Sequence, residues 1–144
     1  MALERPIVLV VEDNKDIRDV LALFLLEKGC HILEASDGRQ GVRLAREAHP
    51  DLVLMDLNLP YLSGLQATTI LKNHSDTKSI PVVALSAHCR ETGWREKALG
   101  AGCENCLVKP IDFAELERVL RPYLGSDADS ALDSNRGRQD RKSA

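Results

Sequence analysis

At 144 residues, 44% hydrophobic and 28% charged, the chain suits one globular domain with a real core, which excludes global disorder. No apolar run approaches the ~18 residues of a membrane span, and the net charge of −3 offers no general attraction for nucleic acid or anionic lipid. Met1 to Pro6 lack the basic flank and apolar run of a secretory signal, so a cytoplasmic protein with no nucleic-acid or membrane partner is expected.

In chain order, the first element is the β-branched run Ile7-Val8-Leu9-Val10-Val11, bounded by Pro6 and Glu12. Ile17, Val20, Leu21, Phe24 and Lys28 then follow helical spacing, with Gly29 where a C-terminal cap belongs. His31-Ile32-Leu33 is a second short strand, and Gly41 to Ala48 a weaker helix stopped near Pro50. Leu52-Val53-Leu54-Met55 is the third strand, and Ser63-Gly64-Leu65-Gln66 reads as a capping box opening the third helix. Val82-Val83-Ala84-Leu85 precedes a helix expected over Glu91 to Leu99. Leu107-Val108 precedes a fifth helix striped by Phe113, Leu116, Val119, Leu120 and Tyr123, with Asp112 to Glu115 as a second capping box. Continuous rather than alternating apolarity suits strands buried on both faces. Five β-α units with short connections imply a parallel sheet with helices on both faces. The domain is expected to span residues 6–124, and the polar segment 125–144 is expected to be a disordered tail.

In such sheets, ligands bind beyond the carboxyl ends of the strands. Glu12 and Asp13 follow the first run, Asp56 the third, Ser86 the fourth and Lys109 the fifth. One Asp after a strand is ordinarily a cap or a solvated loop residue, but coincidence at four strand ends is not ordinary. Two carboxylates ~4 Å apart repel by roughly 4 kcal/mol at an effective dielectric of 20. Three of them therefore need a proton, a cation or distance, and oxygen ligands with places left for water suit Mg²⁺. A metal, a lysine and a hydroxyl around one carboxylate match what a phosphoryl group on that carboxylate requires.

The chain resembles the response-regulator receiver domains of two-component signalling over about residues 6–124. The motifs are Val10-Val11-Glu12-Asp13-Asn14, Leu54 to Pro60 with Ser63-Gly64, Leu85-Ser86-Ala87, Gly100-Ala101-Gly102 and Lys109-Pro110. The resemblance implies a flavodoxin-like five-stranded sheet in the order 2-1-3-4-5, with helices on both faces. It implies Asp56 as phosphoacceptor, with Asp13 and Asp56 ligating Mg²⁺, Glu12 acting through a water, and the Asn58 backbone carbonyl as a further ligand. Ser86 and Lys109 would meet the phosphoryl oxygens, and the Lys109–Pro110 bond would be cis. The implied partners are a sensor histidine kinase or histidine phosphotransfer protein as donor, and a downstream protein target. The expected role is a single-domain regulator rather than an enzyme, without an output domain. The main departure is Cys106, because receivers usually carry a ring three residues before the lysine.

Two other classes share parts of this pattern: a phosphorylation-independent interaction module and an Asp-nucleophile phosphatase. The phosphatase places a second Asp two residues after the nucleophile, where this chain has Asn58, which is no general acid. The cysteines at 30, 89, 103 and 106 are expected as reduced thiols. Cys103 and Cys106 form a C-x-x-C, but it enters a strand rather than opening a helix, and an odd separation would point the side chains to opposite faces. A zinc site would lack ligands, since His31, His49, His74 and His88 show no ligand spacing. His88, two residues past Ser86, either edges the pocket or is plain loop. Trp94 is either core or an anchor for a partner.

Overall fold

The computed structural model describes residues 5–124; the expectation for 125–144 lies outside the described residues. The elements are β1 (Ile7–Val11), α1 (Lys15–Glu27), β2 (His31–Ala35), α2 (Gly38–Ala48), β3 (Leu52–Asp56), α3 (Gly64–Lys72), β4 (Val82–Ser86), α4 (Trp94–Ala101) and β5 (Asn105–Val108). A last helix, α5, occupies 113–124. The strands form one sheet in the order β2-β1-β3-β4-β5, each neighbouring pair parallel.

Alternation along each strand explains why the runs are apolar throughout. Val8, Val10, Leu52, Leu54, Val83 and Leu85 meet Leu21 and Leu25 of α1 and Leu116 and Leu120 of α5. Their neighbours Leu9, Val11, Val53, Met55, Val82 and Ala84 meet Ala45 of α2, Ala67 and Leu71 of α3, and Ala98 of α4. A period of two sends successive side chains to opposite faces, and here a helical layer covers each face. Phe113 is not core: it is partly exposed and packs on Phe24 with ring centroids 5.2 Å apart, joining α5 to α1.

Local signals set the helix starts. Asn14 caps α1 by accepting from the Ile17 N–H at 3.0 Å, and Asp37 caps α2 by accepting from the Gln40 N–H at 2.8 Å. The capping box between Ser63 and Gln66 is complete. The one before α5 is half made: Asp112 accepts from Ala114 and Glu115 N–H, with no return bond from Glu115. α4 starts at Trp94, three residues later than periodicity suggested. Its N-cap is Gly93 at φ 84°, which provides no side-chain cap, and residues 87–90 are spent in a turn.

One cysteine expectation is overturned. Cys89 and Cys106 form a disulfide with Cα atoms 5.8 Å apart, while Cys30 and Cys103 are free. Composition said nothing about this pair, because 17 residues separate the two and only the parallel pairing of β4 with β5 brings them together. The opposite-face argument for Cys103 and Cys106 also fails. β5 begins at Asn105, so strand alternation does not govern Cys103, and both residues lie in the same core layer.

Candidate functional site

The strand order changes direction at β1, whose neighbours are β2 on one side and β3 on the other. The ends of β1 and β3 therefore border the crevice where ligands bind in such sheets. Glu12 and Asp13 leave β1 there, and Asp56 ends β3. One ligand oxygen from each of Glu12, Asp13 and Asp56 lies within 4.8 Å of the others. Glu12 and Asp56 are buried, at 1% and 2% exposure, while Asp13 is exposed.

Lys109 reaches in from the end of β5. Its Nζ lies 2.7 Å from Glu12 Oε1 and 3.2 Å from Asp56 Oδ2. The backbone that carries it is anchored to β4, since the Lys109 N–H donates to Ser86 O at 3.0 Å. The Lys109–Pro110 peptide is cis, as the resemblance implied. The other oxygens of the two buried carboxylates accept backbone N–H groups: Asn14 to Glu12 Oε2 at 3.1 Å, and Asn58 to Asp56 Oδ1 at 3.0 Å.

Burial pushes the Glu12 carboxyl above its ordinary range, against the opposing pull of Lys109 and the Asn14 N–H. For Lys109 burial acts downward, but its bond to Glu12 and the charges of Asp56 and Glu12 outweigh it, so its pKa is raised and it stays protonated. One ammonium among three carboxylates leaves the corner negative when all are ionised, which suits a divalent cation. Glu12 already has both oxygens engaged. Asp13 has no side-chain partner among the described residues and has its oxygens available.

Gly64 shapes the loop after Asp56. A Cβ there would collide with the Asp56 carbonyl oxygen and sit 2.6 Å from the Leu57 Cα. The close approach lets the Gly64 N–H donate to Leu57 O at 3.1 Å, fixing the start of α3 against the acceptor loop.

The fourth strand end holds a second arrangement. Ser86 is 2% exposed, and its Oγ accepts from the His88 backbone N–H at 3.0 Å and from the Trp94 indole Nε1–H at 2.9 Å. The His88 ring is exposed, pairs with Glu91 Oε2 at 2.6 Å and stands edge-on to Trp94 at 5.5 Å. It is thus a loop residue whose backbone, not its imidazole, touches Ser86. The sequence marks Trp94 as core or as a partner anchor, and the structure adds a third role, its bond to the Ser86 hydroxyl. Eight residues separate the two, and only the 87–90 turn brings them together, so no spacing rule announces it.

The geometry agrees with comparisons to known proteins. Residues 8–121 match the family model described as response regulator receiver domain. The chain belongs to the response-regulator receiver family. It is 36% identical over 118 residues to the polar-differentiation response regulator DivK of Brucella ovis, covering 82% of this chain and 95% of that protein. It is similar to the receiver domain of a Pseudomonas aeruginosa sensor histidine kinase, solved with a magnesium ion coordinated in its active site cleft. That likeness has 35% identity and a TM-score of 0.77, covering 85% of this chain and 99% of that one. The chemotaxis protein CheY4 of Vibrio cholerae is similar at 26% identity and a TM-score of 0.78, covering 84% and 100%. The receiver domain here thus has the acidic cluster of its family, and no described helix is long and apolar enough to cross a membrane.

Proposed function

We propose that this receiver domain accepts a phosphoryl group on Asp56 from the phosphohistidine of a sensor histidine kinase or histidine phosphotransfer protein, and signals through protein contact. The observation that carries the reading is the Asp56 carboxylate, buried at the end of β3, with Lys109 Nζ 3.2 Å from one oxygen and two further carboxylates around it. Asp56 Oδ2 forms the bond to phosphorus as the bond from phosphorus to the donor imidazole nitrogen breaks, and the imidazole leaves with the electron pair. Lys109, held protonated by its two carboxylate neighbours, offsets the charge gathering on the phosphoryl oxygens.

Mg²⁺ fits the site: Asp13, Asp56 and the Asn58 backbone carbonyl would hold it, with Glu12 acting through a bound water because Lys109 and Asn14 already engage its oxygens. When bound, the ion would neutralise charge on the acceptor and on the phosphoryl group. Ser86 donates its own hydroxyl proton to a phosphoryl oxygen, and to do so it turns away from the Trp94 indole.

The donor must cover the mouth of the pocket for its histidine to reach Asp56. An apolar groove of about 310 Å³ borders that mouth, lined by Ile17, Val20, Leu21, Pro110, Ile111 and Phe113 with Lys109 at its edge. This is the seat proposed for the donor's helix. The test is intact mass after incubation with Mg²⁺ and acetyl phosphate. One added phosphoryl group is expected in the wild type and none in Asp56→Asn. Equal incorporation in both would overturn the assignment of Asp56, and none in either would favour an interaction module that works without phosphorylation.

A further inference from the structure

The Cys89–Cys106 bridge crosses the one segment that the proposed signal must move. Cys106 stands on β5 opposite Ala84 of β4. Cys89 lies in the 87–90 turn, between the two groups that hold the Ser86 hydroxyl: the His88 N–H on one side and Trp94 on the other. The bridge therefore ties the middle of this arm to the sheet. Arg95 adds a second tie just beyond it, donating to Cys106 O at 3.2 Å and Asn105 Oδ1 at 2.9 Å.

Three observations make the pair a place where sulfur chemistry can run in both directions. The Cα separation of 5.8 Å lies at the usual value for a bridge, so closing it needs no backbone displacement. Cys89 Sγ lies 3.3 Å from the Leu107 carbonyl oxygen, so the reduced thiol finds an acceptor where it stands. Ala87, His88 and Arg90 around Cys89 are exposed, so opening of the turn admits a small reagent, although both sulfurs are buried in the closed form. The two free cysteines are poor competitors. Burial pushes the Cys30 thiol up to about 11 and raises that of Cys103, which keeps both protonated.

We propose that Cys89 and Cys106 are a reversible thiol–disulfide modification site whose oxidant is a small-molecule disulfide of the glutathione class, and that the closed bridge clamps the Ser86–Trp94 arm. The Cys89 thiolate attacks the external disulfide, forming a mixed disulfide and releasing one small thiolate. The Cys106 thiolate then displaces the second. The two protein sulfurs lose two electrons, the external disulfide gains them, and the two protein protons end on the released thiols. The reverse exchange with a reduced thiol reopens the bridge. The clamp rests on the phosphoacceptor reading; the modification site does not.

The experiment uses the full chain, first reduced with dithiothreitol and then incubated with oxidised glutathione. Denaturing alkylation and peptide mass follow. Two blocked thiols are expected, joined in a Cys89–Cys106 peptide and restored by dithiothreitol. Four alkylatable thiols, a stable glutathione adduct, or a bridge to Cys30 or Cys103 would overturn the site. Amide exchange over residues 87–93 is then measured with Mg²⁺, before and after adding beryllofluoride as a phosphoryl mimic. A several-fold change is expected in the reduced chain and little in the oxidised one. Cys89→Ser should respond like the reduced chain whatever the glutathione state, and Cys106→Ala should do so in the absence of oxidised glutathione. Equal responses in the oxidised and reduced wild type would overturn the clamp. No response in the reduced chain or in either variant, together with no phosphoryl incorporation from acetyl phosphate, would overturn the phosphoacceptor reading and the clamp with it, leaving the bridge mapping to decide the modification site.

Discussion

Two corners at the carboxyl edge of the sheet are built in opposite ways. At the ends of β1, β3 and β5, charges do the work: Glu12, Asp13 and Asp56 face a single ammonium, Lys109. At the β4–α4 corner, a neutral hydroxyl is held by a backbone N–H and an indole, beneath a disulfide. The first corner is poised by unbalanced charge, which suits a divalent cation. The second is poised by hydrogen bonds of modest strength that can be exchanged without burying a charge. In the proposed function, one corner captures charge and the other moves when charge arrives. Ser86 belongs to the second, and its backbone carbonyl accepts the Lys109 N–H of the first at 3.0 Å.

The largest effect on stability should come from the charged corner. Lys109→Ala leaves the Glu12 and Asp56 carboxylates buried without their cation, and breaking a buried pair this way costs about 3 kcal/mol. A urea melt without Mg²⁺ measures it, and a loss near zero would show that the charges are solvated rather than held. The sign with pH follows from Lys109's raised pKa. Its contribution is fully present below the ordinary lysine value of 10.5 and is lost as pH climbs through the higher folded value. The gap between wild type and Lys109→Ala should therefore persist at neutral pH and close as pH climbs through the raised Lys109 value.

Asp13→Asn should act in the other direction. It removes one of three crowded carboxylates, and because Asp13 is exposed the relief is about 1 kcal/mol, the water-like limit for charges at this spacing. Thermal unfolding without Mg²⁺ should rise by a few degrees, while the stabilisation that millimolar Mg²⁺ gives the wild type should be nearly absent. A Mg²⁺ response equal to the wild type's would place the ion elsewhere.

The smallest effect should come from the hydroxyl corner. Trp94→Phe removes one of two hydrogen bonds to Ser86 Oγ and keeps a ring, so it should cost about 1 kcal/mol or less. Ser86 retains the His88 N–H. A cost as large as that of Lys109→Ala would mean that this corner is core rather than a movable contact.

The contrast between the corners also decided what could be read from the sequence. Glu12, Asp13, Asp56, Ser86 and Lys109 each stand at the end of an apolar run, and a parallel sheet necessarily gathers such ends on one edge. The strands were legible for the same reason: both faces of each are covered, so the apolar runs are continuous. The start of α4 was not, because Gly93 in a left-handed conformation caps without a polar side chain. The Cys89–Cys106 bridge and the Trp94–Ser86 bond depend on how one turn folds back over β5, and no period or motif encodes that. With the register in hand, Cys106 opposite Ala84 and Cys89 three residues past Ser86 would have marked the pair.

The most direct measurement uses the chain's single tryptophan. Trp94 emission is recorded on the reduced chain with Mg²⁺, before and after acetyl phosphate, in wild type and in Asp56→Asn, with phosphoryl incorporation followed by mass in the same samples. If phosphorylation of Asp56 draws Ser86 away from the indole, the emission changes in step with incorporation in the wild type and stays constant in Asp56→Asn. Full incorporation with unchanged emission, or the same change in Asp56→Asn, would contradict a link between the two corners.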